Sequence, residues 1–232
     1  MQKNSVKTNE ETWDAIAESF DTTRHRPWDV CLDFIKTLGK TDTVADIGCG
    51  NGRHLVPIAK QFKNAIGLDI SSKLLDIVRN KLLENNLENT ILLHSDAVNI
   101  PIKDDSLDAV IFIAALHNIK VRDNRIQALK EIRRTMKKDG TALISVWSRW
   151  QDKYRKQFFK KWFTQIGKSE FGDIDIYWRQ HGLDIPRFYH LYSKKEFIKD
   201  LKEAGFEILE IQDISIHSKK YPDNYFAVVT KR

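Results

Sequence analysis

Three glycines alternate with larger residues in Gly48-Cys49-Gly50-Asn51-Gly52, directly after the apolar run 43–47 that carries Asp46. Such a turn lets backbone approach a ligand with no side chain in the way. The free N–H groups of a following helix then point at that ligand. Further carboxylates stand at related places. Asp69-Ile70 ends a second apolar run, 23 positions after Asp46. A carboxylate there can accept from both hydroxyls of an adenosine ribose. Asp96-Ala97 follows a third run, where Asp96 can accept from an adenine amine. A packing turn with no ligand is the competing reading, and it leaves the two later carboxylates unexplained.

Two cofactors compete for this turn. A dinucleotide site spaces its glycines Gly-x-Gly-x-x-Gly, whereas here they fall at Gly48, Gly50 and Gly52. Asp46 would repel a pyrophosphate and attract a cationic amine. Adenosylmethionine carries an amine and a sulfonium and no phosphate, so the chemistry favours it over NAD.

Substrate chemistry has three candidate segments. His117 lies just past the buried run 108–113, where imidazole can donate, accept or titrate. Contact with substrate and capping of the loop both remain open for it. In 22–28, Arg24 and Arg26 flank His25 ahead of Pro27-Trp28. Arginine offers a fixed fork for carboxylate or phosphate, and tryptophan a stacking face. Arg187, Tyr189 and His190 repeat that mix near 186–192. For either segment alone, rings in the core and arginines on the surface are the competing reading. One of Arg122 and Arg125 is expected to be solvated or paired with Asp123.

The elements that must position these groups alternate through the middle of the chain. Strands are expected at 43–47, 65–68, 89–93, 108–113 and 141–147, and helices at 54–61, 72–84 and 121–136. This alternation predicts an α/β doubly wound parallel sheet with helices on both faces. Ahead of it, helical spacing covers 12–20, and Pro27 fits the first turn of a second helix. After Trp147 come a basic amphipathic helix at 150–166, an irregular segment at 167–185, a helix at 194–204, and strands at 206–211 and 225–230.

Composition narrows the classes. A chain of 232 residues can bury a core without disulfides or a structural metal. Two cysteines, Cys31 and Cys49, without Cys-x-x-Cys spacing exclude a disulfide-stapled module, and no metal site is expected. The formal charge of +6 permits a nucleic-acid partner without demonstrating one. Its placement says more, with six basic residues in 147–163 against only Asp152. No run reaches the length of a membrane span, and 1–12 lacks a signal core, so a cytoplasmic protein with no membrane partner is expected.

The stretch 41–147 resembles the class I adenosylmethionine-dependent methyltransferases. The resemblance implies that the glycine loop holds the methionine portion, Asp69 the ribose and the residues after strand three the adenine. It also implies a seven-stranded, Rossmann-like sheet whose last strand is antiparallel. Landmarks across most of the chain resemble one narrower group: 13–17 with Phe20, 23–28, 113–117, 122–125, 145–147, 187–190 and Asp223-Asn224-Tyr225. That group is the wobble-uridine tRNA methyltransferases, which esterify the carboxylate of 5-carboxymethyluridine. The resemblance implies the tRNA anticodon loop as partner and a small zinc-binding activator subunit at the third-strand edge. A single domain over 1–232 is expected, with a helical lid at 12–40, the cofactor core at 41–147, an insertion at 148–193 and a C-terminal part at 194–232. Asn118 departs from the paired histidines common in the group. A methyltransferase for a small-molecule carboxylate or amine, and a non-catalytic RNA-binding protein of this fold, are the alternatives.

Overall fold

The computed structural model describes residues 8–39, 42–164 and 170–231. Of residues 1–10, which read as loose in sequence, 1–7 lie outside the described residues, as does the expected helix end at 165–166, while Thr8 caps the first helix and Asn9 and Glu10 begin it. Helices α1 (Asn9–Thr23) and α2 (Asp29–Thr37) lead into β1 (Thr43–Ile47), α3 (Leu55–Gln61), β2 (Asn64–Asp69), α4 (Ser72–Glu84), β3 (Thr90–His94) and β4 (Leu107–Ile113). A 3-10 turn (Leu116–Asn118), α5 (Arg122–Thr135) and β5 (Met136–Trp147) follow. The chain continues with α6 (Arg155–Thr164), β6 (Asp173–Trp178), β7 (Ile185–His190), α7 (Lys194–Glu203), β8 (Glu207–Ile214) and β9 (Asn224–Thr230).

The main sheet has seven strands in the order β3-β2-β1-β4-β5-β9-β8. β9 runs antiparallel to both its neighbours and the other pairs are parallel, as the resemblance implied. Central strands are apolar on both faces because helices cover both. Val44 and Ile111 pack with Leu55 and Val78 of α3 and α4. Their chain neighbours Ala45 and Phe112 pack with Leu129 and Phe197 of α5 and α7 on the other side.

β1 and β4 are adjacent although α3, α4 and two strands separate them in sequence. The strand order therefore reverses beside β1, which opens a crevice at the carboxyl ends of the strands. α1 closes over that crevice. Its first turn is fixed by a capping box between Thr8 and Glu11. Its Asp14 accepts from the Ser71 hydroxyl (2.5 Å) and the Lys73 N–H (3.2 Å), helping to cap α4. Its Asp21 accepts from the Asn51 amide (2.7 Å) in the glycine loop.

Four expectations change. Pro27 precedes α2 rather than entering it. Trp28 stays extended as the N-cap because its backbone N–H donates to His54 Nε2 at 3.2 Å. α2 is part of the core and not of a lid, since Cys31, Phe34 and Ile35 are buried against the sheet. The fifth strand begins at Met136, paired with Leu107, and then bulges through 137–140 before Thr141 pairs with Ala109. Asp139, at φ 62°, makes that turn. Finally, the segment expected to be irregular contains an antiparallel hairpin of β6 and β7. Ile174 and Ile176 face their own small core with Phe158 and Tyr189, while the charged alternate residues Asp173 and Asp175 disguise the strand.

Candidate active site

A cavity at the strand ends encloses about 1100 Å³, its mouth included. Gly48, Gly50, Asp69, Ile70, Asp96 and Ala97 line one part of it. Arg24, Trp28, His117, Arg187 and Tyr189 line another, with Trp13 and Phe20 from α1.

At the first part, Gly48 sits at φ +67° with Ala115 so close that an added Cβ would lie 2.7 Å from it. Only glycine fits. Asp69 is buried, and its two oxygens accept from the N–H groups of Gly50 (2.8 Å) and Ser71 (2.9 Å). Burial raises its pKa and these backbone bonds oppose the rise. Each oxygen keeps a lone pair for a further donor. Two expected residues do not line the cavity. Gly52, at φ +77°, packs its backbone against Val78, where a Cβ would lie 3.1 Å away. Asp46 is 1% exposed, and its Oδ2 has no hydrogen-bond partner. Burial pushes its pKa well up, and the charge of Arg53 opposes that.

Arg53 was missed by sequence reasoning, although its place immediately after Gly52 was a signal. It lines the cavity, and its guanidinium lies 4.5 Å from the centroid of the Trp28 ring. Burial lowers its pKa to about 10, while Cys31 and Asp46 pull the other way. Trp178, at the end of β6, was missed for the same reason as the hairpin. Its Nε1–H donates to Ser19 Oγ (2.8 Å), tying the hairpin to α1.

The second part is built around His117. Its ring is stacked on Tyr189 (centroids 5.2 Å) and tilted against Trp147 (5.4 Å). The Trp147 backbone N–H donates to His117 Nδ1 at 3.1 Å. An amide nitrogen can only donate, so Nδ1 is the acceptor and the ring proton sits on Nε2. That Nε2 is buried without a partner among the described residues. Burial, with Arg187 and His190 nearby, lowers the His117 pKa to about 3. The ring is therefore a neutral donor at neutral pH.

Arg187 is 7% exposed and donates from Nη1 to the Tyr189 hydroxyl (2.6 Å), while its Nε has no partner. Its guanidinium lies 4.8 Å from the Trp178 ring. Arg24 lies 5.7 Å from the same ring, and burial lowers its pKa. Burial raises the Tyr189 pKa, which keeps that hydroxyl protonated.

Two expected substrate residues fall outside the cavity. Arg26 lines a neighbouring cleft instead. His190 is fully buried behind Tyr189, with Nδ1 on Asp173 (2.8 Å) and Nε2 on Glu196 (3.0 Å). Glu196 also accepts from Arg149 and closes the capping box of α7. His190 thus holds the hairpin and helix together. Glu170, Asp173 and His190 bring their ligand atoms within 4.8 Å of one another, but Arg125 already neutralises Glu170 at 2.6 Å. Neither Arg122 nor Arg125 is solvated or paired with Asp123. Arg122 grips Asp200 and Glu203 of α7, and Arg125 is fully buried. Of the six basic residues in 147–163, Arg149 and Lys161 serve the interior, since Lys161 donates to the Phe171 and Asp173 carbonyls.

A family model described as a methyltransferase domain matches residues 45–144. The tRNA (carboxymethyluridine(34)-5-O)-methyltransferase of Schizosaccharomyces pombe is 30% identical over 222 residues, covering 86% of this chain and 89% of that one. The alkbh8 enzyme of the same name from Xenopus tropicalis is 38% identical over 159 residues, covering 68% of this chain and 24% of its own length. The chain thus spans about a quarter of the length of the vertebrate relatives it matches. A methyltransferase solved in complex with the Trm112 activator of Haloferax volcanii has the same fold, with a TM-score of 0.69 at 18% identity over 96% of this chain and 97% of that one.

Fold, cavity and family model together define a class I S-adenosylmethionine-dependent methyltransferase. Within that class, the yeast relative's match over nearly its whole length makes this chain a member of the tRNA (carboxymethyluridine(34)-5-O)-methyltransferase family. The donor set fits the cofactor. Asp69 retains lone pairs for ribose hydroxyls, and the orphaned Asp46 Oδ2 lies behind the cavity lining rather than in it. No helix among the described residues is long and apolar enough to cross a membrane.

Proposed function

We propose that this chain esterifies the carboxylate of 5-carboxymethyluridine at the wobble position of tRNA. The observation that carries the reading is a set of donors converging on one part of the cavity. His117 Nε2–H and Arg187 Nε–H are both buried without partners there. Buried donors are ordinarily satisfied, and a bound carboxylate would satisfy these. Arg24 lines the same part and adds a second cation.

Asp46, Gly48, Gly50, Asp69, Ile70, Asp96 and Ala97 are assigned to the cofactor, with Gly52 supporting the loop. When bound, adenosylmethionine supplies an electrophilic methyl group. A carboxylate is already ionised at neutral pH, so the protein needs no general base. Arg24, His117 and Arg187 hold and align the anion, and Tyr189 fixes the Arg187 fork. Trp28 offers a face for the base. Neutral His117 donates without adding a full charge that would quench the nucleophile.

A small zinc-binding activator subunit is assigned to the β3 edge. β3 ends the sheet, and Ile91 is 59% exposed on it, with Leu83 of α4 at 71%. An unpaired apolar edge is a surface to be covered. The free, buried thiols Cys31 and Cys49 suit a reducing cytoplasm. The test is mass spectrometry of tRNA nucleosides after incubation with the chain and cofactor, with and without such a subunit. A methyl gain on carboxymethyluridine is expected. A gain on another nucleoside, or on a free carboxylic acid alone, would overturn the assignment.

A further inference from the structure

Beside the reaction cavity lies a second, larger cleft of about 2020 Å³ on the same measure. Arg24, Trp28, Arg53 and Trp147 line both, so the cleft opens from the substrate part of the cavity. We infer that this cleft is a nucleotide-binding subsite, which takes the nucleotide next to the target base in a single RNA strand. The inference rests on the RNA-directed reading given above.

The charges in the cleft suit a phosphate. His25, Arg26 and Lys153 line it and are exposed. His25 and Arg26 make no hydrogen bond or ion pair among the described residues. Lys153 lies over the Tyr154 ring, 5.2 Å from its centroid. The acids that would offset Arg26 and Lys153 are largely consumed by backbone. Asp223 accepts from the N–H groups of Ile216, His217 and Ser218 at 2.7–2.9 Å, and Asp152 Oδ2 from those of Lys219 and Lys220. Asp29 alone keeps an exposed carboxylate in this lining, in the first turn of α2.

A second observation points to more than a phosphate. Asp152 and Asn224 line this cleft, and the Oδ1 of each is buried with no hydrogen-bond partner among the described residues. An orphaned buried acceptor is costly unless a ligand donor meets it. Ribose hydroxyls and base amines are such donors, and a nucleotide brings both together with its phosphate. The phosphodiester of an RNA strand carries no proton at neutral pH, so the donors for these two acceptors come from the ribose and the base. Tyr154, also in the lining, offers a ring for stacking.

The experiment compares two substrates on the full chain with cofactor: 5-carboxymethyluridine nucleoside, and a trinucleotide with that base in the centre. The variants are the pair Arg26→Gln, Lys153→Gln and the charge-keeping pair Arg26→Lys, Lys153→Arg. Wild type should bind the trinucleotide more tightly than the nucleoside. The Gln pair should weaken trinucleotide binding by at least about tenfold. Its salt slope should fall by about 0.7, the value for one single-strand phosphate contact. The charge-keeping pair should restore most of both, and cofactor affinity should match wild type throughout. An unchanged trinucleotide preference and salt slope in the Gln pair would overturn the subsite alone. Wild type that binds cofactor but methylates neither substrate with the activator subunit present would overturn the functional reading, and the subsite with it.

Discussion

The two parts of the cavity are built by different means. The cofactor part is made of backbone at strand ends: a glycine turn with φ fixed by close packing, and a carboxylate held by two N–H groups. The substrate part is made of side chains brought from α1, the end of β4 and the β6–β7 hairpin, locked by rings and ion pairs. The first is rigid because strand pairing fixes it. The second is rigid only because a layer behind it, His190 with Asp173 and Glu196, holds the hairpin in place.

If that division is right, the largest effect should come from the substrate part with the cofactor part untouched. Arg187→Lys keeps the charge but loses the fork that reaches both Tyr189 and the cavity. Its kcat/KM should fall by about a hundredfold or more, with cofactor affinity within about twofold of wild type. Equal losses in both would merge the two parts. The reverse pattern is expected for Asp69→Ala. Removing an acceptor of two backbone bonds and of the ribose hydroxyls should weaken cofactor binding by about ten- to a hundredfold in calorimetry.

Gly48→Ala should act on stability and cofactor affinity together. Its Cβ would lie 2.7 Å from that of Ala115 at a positive φ. A loss of about 1–3 kcal/mol in denaturant unfolding is expected, and a neutral result would show that the turn can relax.

A pH dependence tests the neutral state of His117. The folded His117 pKa is near 3 and the ordinary value is 6.5. Between these values the unfolded chain binds the proton and the folded chain does not, so the His117 contribution is full above pH 6.5 and is lost as pH falls toward 3. His117→Phe should flatten that part of the stability curve. Methyl transfer by wild type should show no histidine titration between pH 6 and 8, and one there would contradict the neutral donor.

The same contrast explains what the chain revealed before folding. Asp46, the three glycines and Asp69 are local in sequence, because backbone geometry needs particular residues at fixed spacing. The alternation of elements predicted the doubly wound parallel sheet, the family resemblance implied its seven strands and antiparallel last strand, and the strand order came from the structure. The substrate part is assembled across long separations, as Ser19 bonding Trp178 and His117 stacking on Tyr189 show. Residue type alone therefore singled out Arg187 and Tyr189, which line the cavity, together with His190, which lies one layer behind them. Arg26 belonged to the neighbouring cleft, which no sequence spacing outlines. Arg53 was passed over although its place after Gly52 marked it, because an arginine beside a glycine turn also fits a surface position. The hairpin was hidden by charged alternate residues, although Ile174, Ile176 and Trp178 already carried the strand period.

The central claim is that this cavity methylates a uridine-linked carboxylate, and one measurement addresses it most directly. An anticodon stem-loop carrying 5-carboxymethyluridine and the same RNA carrying the corresponding amide are incubated with chain, activator subunit and cofactor, and the products are weighed by mass spectrometry. The account expects a methyl ester from the acid and no change in the amide. Methylation of both, or of neither while calorimetry shows cofactor bound, would contradict it.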